Sequence, residues 1–161
     1  MSQGLSSTMQ TPYQRLAASG IILPGSPPPI ANFVSHVQVG NLLFLSGQGP
    51  VEAGGFMHTG KVGSTVSVDS AYQHARLTGI NLLAVMHEAL GDLCRITQIV
   101  KLFGMVNADS DFTRHPQVIN GCSDLMVEIF GQPGVHARSA VGLASLPGQI
   151  TVEIEAIVAF E

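Results

Sequence analysis

Beyond residue 30 the apolar positions follow two spacings, every second residue or every third to fourth, and these set the expected elements. The pattern starts at Phe33. Val37 and Val39 alternate with His36 and Gln38, and Gly40-Asn41 supplies a two-residue turn. Leu42-Leu43-Phe44-Leu45 then reads as a buried strand ending at Ser46-Gly47-Gln48. After a Gly-rich loop over residues 52–64, Ser67 is placed to cap a helix with Asp69 in its first turn. Tyr72, Ala75, Gly79, Leu82, Leu83, Met86 and Leu90 recur at helical spacing until Gly91 ends the run. Residues 96–106 read as a central strand. Pro116 opens a second helix with Val118, Cys122, Leu125, Met126 and Ile129 on its apolar face. Two strands close the chain, over residues 138–146 and 150–160, joined as a hairpin across Pro147-Gly148. The order ββαβαββ predicts an α+β fold, a mixed β-sheet with two helices packed on one face. Gly79 is expected to allow close helix-to-sheet approach, and Met86, Met105 and Met126 to pack in the core.

The first 29 residues are read as an N-terminal arm, and residues 30–161 as the domain. Residues 1–11 are rich in Ser, Gln and Thr and expected to fray. A short helix over 13–18 stops before Gly20, and Ile21-Ile22-Leu23 leads into Pro24-Gly25-Ser26-Pro27-Pro28-Pro29, an extended segment. The arm is expected to pack on the outside and enter no site.

Composition changes this picture in one respect. Charged residues are only 11% of the 161, against about 25% in an ordinary soluble domain. Such a chain must cover apolar surface with something, and copies of itself are the simplest cover. The sheet face opposite the helices is therefore expected to be buried by neighbouring copies. Lys and Arg number seven and are scattered, and the net charge is −4, which argues against nucleic-acid binding. No apolar stretch reaches eighteen residues and no secretory pattern opens the chain, so the expectation is a cytoplasmic protein without membrane contact. Cys94 and Cys122 read as free thiols. The six histidines show no metal-binding spacing, and neither a metal nor a cofactor is expected.

Candidate chemistry concentrates near the C-terminus. In Thr151-Val152-Glu153-Ile154-Glu155-Ala156-Ile157-Val158 the apolar residues take one face, so Glu153 and Glu155 share the other. Arg138, on the preceding strand, offers a planar fork matched to a carboxylate. A glutamate in a partly apolar pocket can polarise a water and take its proton. Hairpin pairing would set Arg138 slightly beyond Glu155, so Arg138 and Glu153 meet either within one subunit or across two. The alternative reading is an ion pair without chemistry. Ser46 with Gln48 could donate to a ligand or satisfy strand-end backbone, and His136 could tune the site or lie in a solvated loop.

Two stretches carry a resemblance. His136-Ala137-Arg138-Ser139-Ala140-Val141-Gly142-Leu143-Ala144-Ser145-Leu146-Pro147, followed by Val152-Glu153-Ile154-Glu155-Ala156, resembles the C-terminal signature of the Rid family, the YjgF-like reactive-intermediate deaminases. Val39-Gly40-Asn41-Leu42-Leu43-Phe44-Leu45-Ser46-Gly47-Gln48 resembles that family's first hairpin. The resemblance covers roughly residues 30–160. It implies a chorismate-mutase-like fold and a homotrimer with three clefts between subunits. It further implies hydrolysis of enamines and imines, made from amino acids, to 2-oxo acids and ammonia. Arg138 then matches the arginine that grips the substrate carboxylate, Glu153 the acid that positions water, and Gly47 a backbone position lining the pocket. This sequence departs from the pattern where Asn32-Phe33 replaces a Gly-Pro-Tyr run, so Phe33 stands in place of a phenol. Ala140 stands where cysteine is common, and Asn120 and Ser123 compete for an asparagine position of the second helix. The expected substrate-binding set is thus Arg138, Gly47, Ser46, Phe33, Ala140 and Asn120. Two further readings stand beside the deaminase: a non-catalytic trimer that binds a small carboxylate metabolite, and the ribonuclease label the family once carried, which the negative charge disfavours.

Overall fold

The computed structural model describes residues 9–26, 28–29 and 31–161. Its elements are α1 (Pro12–Ala18), β1 (His36–Val39), β2 (Leu42–Gln48), α2 (Val68–Leu90), β3 (Ile96–Asn107), α3 (His115–Phe130), β4 (Ala137–Leu143) and β5 (Val152–Phe160). The helix ends fall where the capping chemistry puts them. The Ser67 hydroxyl accepts from the Ser70 backbone N–H, a cap that typically contributes about 1 kcal/mol. Gly91 ends α2 at φ +74°, a left-handed conformation that favours glycine. In α3 all five residues expected on the apolar face are buried.

The sheet order is β1-β2-β5-β3-β4, and here the hairpin expectation fails. β4 and β5 do not pair. β4 lies parallel to β3, with Leu102 opposite Arg138, while β5 runs antiparallel to both β2 and β3 and occupies the centre. The cause lies in the connections. A parallel neighbour needs a crossover, and α3 supplies it between β3 and β4. The Pro147–Gln149 turn is one tight turn in a link that carries the chain past β3, rather than a hairpin loop. β3 is interior but not central.

Both long helices cover one face of the sheet, as expected. Leu43 and Leu45 from β2, Leu102 and Val106 from β3, and Val152, Ile154, Ala156 and Val158 from β5 fill the layer beneath them. The segment expected as a wholly buried strand in fact alternates: Phe44 points to the other face and is 40% exposed. That open face also carries Val37 and Val39, at 52% and 61% exposure, with Met105 half-buried among the strands, outside the core expected for it. Gly79 acts differently from expectation too. A Cβ there would meet Leu125 and Cys122 of α3, so it admits a neighbouring helix and not the sheet. Gly121 makes the reciprocal approach, where any Cβ would overlap the Tyr72 carbonyl.

The expected fraying falls mostly on residues 1–8, outside the described residues, as do Pro27 and Ile30. Thr11 instead closes a capping box with Gln14 at the start of α1. Leu16 is 4% exposed and joins the main core, with Tyr13, Ile21 and Leu23 packed against it. The Tyr13 hydroxyl accepts from the Leu93 N–H at 2.8 Å and sits 2.9 Å from His87 Nδ1, fastening α1 to the helical layer. None of the described helices is long and apolar enough to cross a membrane.

Candidate active site

The sequence-derived residues separate into two groups. The first surrounds Arg138 on the edge strand β4. Its Nη1 donates to Ser123 Oγ at 3.0 Å and its Nη2 to the Pro116 carbonyl at 3.3 Å, both on α3, so the side chain lies on the helix-bearing side of the sheet. Alternation along β4 sends Ala140 the same way, opposite Gly104. His136, two residues before Arg138, is part-buried and reaches Ser123 Oγ with Nε2 at 2.9 Å. Its Nδ1 lies 2.6 Å from the Gly134 carbonyl. Of the two competing α3 positions, Ser123 bonds the guanidinium; Asn120 is half-buried nearly a turn earlier. The solvated-loop reading of His136 is corrected by these bonds. Sequence reasoning passed over the pairing of His136 with Ser123, although the period-two spacing of His136 and Arg138 placed both on one face.

The second group lies on the open face. Glu153, next to the buried Val152 and Ile154, projects away from the helices, with Met105 as its strand partner. Gly47 packs directly against it: a Cβ at Gly47 would overlap the Glu153 carboxylate and push that side chain aside. Ser46 is spent on structure, its hydroxyl donating to the Val34 carbonyl at 2.7 Å. That bond ties residues 33–35 alongside the end of β2 and leaves Phe33 46% exposed nearby. Burial pushes the Glu153 carboxyl up, and the neighbouring Glu155 charge adds to the shift. No hydrogen bond or ion pair to the Glu153 carboxylate is present among the described residues.

Arg138 and Glu153 therefore do not meet within one chain. β3 stands between their strands, a separation of two strand spacings or roughly 10 Å, and their side chains leave opposite faces. One group is a cation held at two points, and the other is a partly desolvated carboxylate beside a glycine backbone. The nearby thiol is no nucleophile, because burial pushes Cys122 up to about 12. Among the described residues no group of three or more His, Cys, Asp or Glu could hold a metal ion.

A sheet with both helices on one face, an edge-strand arginine and an open-face glutamate define a class, and comparison with known proteins identifies it. The chain matches, over residues 13–151, the family model described as "YjgF/chorismate mutase-like, putative endoribonuclease". It is 41% identical to Protein TCP17 of Trypanosoma cruzi, covering 86% of this chain and 88% of that one. It is 36% identical to a 2-iminobutanoate/2-iminopropanoate deaminase of Dermatophagoides farinae, covering 88% and 95%. Among solved structures, a protein of unknown function from Agrobacterium tumefaciens superposes with a TM-score of 0.87 at 44% identity, covering 94% of each chain. Coverage of 94% cannot be reached without the N-terminal arm. The chain belongs to the YjgF family.

Proposed function

We propose that this protein is a hydrolytic deaminase of small 2-imino or enamine acids, acting in clefts formed between the subunits of a homotrimer. The carrying observation is the division of the site. Arg138 lies at an unpaired sheet edge, Glu153 lies on an apolar open face, and one chain cannot bring them together. Three copies burying the open face would set the edge strand of one against Gly47 and Glu153 of the next. Exposed Val37, Val39 and Phe44 support that burial.

In such a cleft the Arg138 fork holds the substrate carboxylate. Glu153, raised by desolvation, accepts a proton from water as the oxygen attacks the imine carbon. That proton passes to nitrogen to give a carbinolamine. The carbinolamine hydroxyl then gives up its own proton, again relayed to nitrogen, as the C–N bond breaks and ammonia and a 2-oxo acid leave. No oxidant or cofactor enters the balance. The names of relatives such as the mite deaminase support this chemistry. The endoribonuclease wording of the family fits poorly with a net charge of −4. Phe33 in place of a phenol favours one second reading, a trimer that binds a carboxylate metabolite without turnover.

The test generates 2-iminobutanoate in situ, by an amino-acid oxidase acting on 2-aminobutanoate, and follows release of 2-oxobutanoate. Release should exceed the uncatalysed background, and light scattering should give about three times 16.9 kDa. Background release from a stable monomer would remove the proposal.

A further inference from the structure

We infer that Ser123 and His136 are positioning residues that fix the Arg138 guanidinium for its carboxylate, an inference that rests on the reading of Arg138 as the carboxylate anchor. The Gly134 carbonyl 2.6 Å from His136 Nδ1 can only accept, so in the neutral ring Nδ1 carries the hydrogen and Nε2 is left as an acceptor. The Ser123 hydroxyl, 2.9 Å away, donates to that Nε2. A serine hydroxyl otherwise rotates freely; here its hydrogen is committed, and an oxygen lone pair turns toward Arg138 Nη1 at 3.0 Å. The relay ends on rigid backbone. Gly134 is buried, and a Cβ there would overlap the Met126 carbonyl of α3.

Arg138 thus spends one N–H on Ser123 and one on Pro116, leaving three of its five donors for a ligand. A guanidinium already held at two points loses less freedom when a carboxylate binds. Ser123 and His136 touch neither the open face nor Glu153, so their effect belongs to binding and not to the chemical step.

The experiment uses the full chain and compares Ser123→Thr with Ser123→Val, equal in size but only one bearing a hydroxyl, together with His136→Ala, His136→Gln and Ser123→Val/His136→Ala. The probe is 2-oxobutanoate, its Kd measured by calorimetry, with KM and kcat on 2-iminobutanoate. Ser123→Val and His136→Ala should each raise Kd and KM about tenfold, the scale of a lost hydrogen bond to a charged group, with kcat unchanged. Ser123→Thr should retain wild-type affinity, and His136→Gln, whose amide can make both bonds, should recover much of it. The double variant should be no worse than Ser123→Val, because His136 acts through the hydroxyl. Wild-type affinity in Ser123→Val, or additive losses in the double variant, would overturn the inference while leaving the deaminase reading intact. A wild-type protein that binds no 2-oxobutanoate would overturn the anchor role of Arg138 and the inference with it.

Discussion

Replacing Glu153 by Gln is expected to lower turnover of 2-iminobutanoate by about 10²–10⁴-fold, the usual contribution of a positioned general base, without weakening 2-oxobutanoate binding. The amide keeps the shape that packs against Gly47 but accepts no proton from water. The same variant carries a second signature, in stability. The folded carboxyl lies above the ordinary glutamate range, because burial and the Glu155 charge disfavour its ionised form. Between the unfolded and folded values the native state binds more protons, so wild-type stability falls as pH rises through that window. Above it the cost is constant. Glu153→Gln should therefore melt higher than wild type at neutral pH, and the gap should close as pH drops from the raised folded value to the ordinary glutamate value. Unchanged turnover, or a variant that melts lower at neutral pH, would remove Glu153 from the role of desolvated base.

Replacing Arg138 by Ala should abolish measurable 2-oxobutanoate binding and reduce kcat/KM by about 10²-fold or more, since a bidentate, charge-assisted contact is lost. Arg138→Lys should recover little. An ammonium is a point charge that cannot present two parallel donors while also reaching Ser123 and Pro116. Arg138 makes no ion pair among the described residues, so the loss is of ligand contact and not of an internal bridge. Equal kcat/KM in wild type and Arg138→Ala would contradict the carboxylate anchor.

Much of this was legible in the sequence, and the part that was not has a physical explanation. Local signals carried the helices: Ser67, Gly91 and Pro116 mark ends because caps and missing N–H groups act within one turn. Alternation likewise placed Glu153 and Glu155 together on the face of β5 away from the buried residues. Strand partnership is not local. Pro147-Gly148 looks like a hairpin turn, yet β5 gains more from the centre of the sheet, where Val152, Ile154 and Val158 are wholly buried, than from lying beside the edge strand. The choice between Asn120 and Ser123 was closed to sequence for a related reason. Both fit a helix face, and only the crossing of α3 over β4 decides which one meets the guanidinium. In the arm the short helix was legible, but not that Leu16 enters the core, because a seven-residue helix has too few turns to mark a buried face.

The central claim, a cleft shared between copies, is tested most directly by mixing two inactive chains. Arg138→Ala and Glu153→Gln chains, carrying different tags and purified in tandem, form trimers that contain both. If each cleft takes Arg138 from one copy and Glu153 from the next around the ring, every such trimer holds one cleft with both native residues. Activity should then return to about a third of wild type, although each variant alone is inactive. Tandem-purified oligomers with no more activity than the separate variants would contradict the shared cleft.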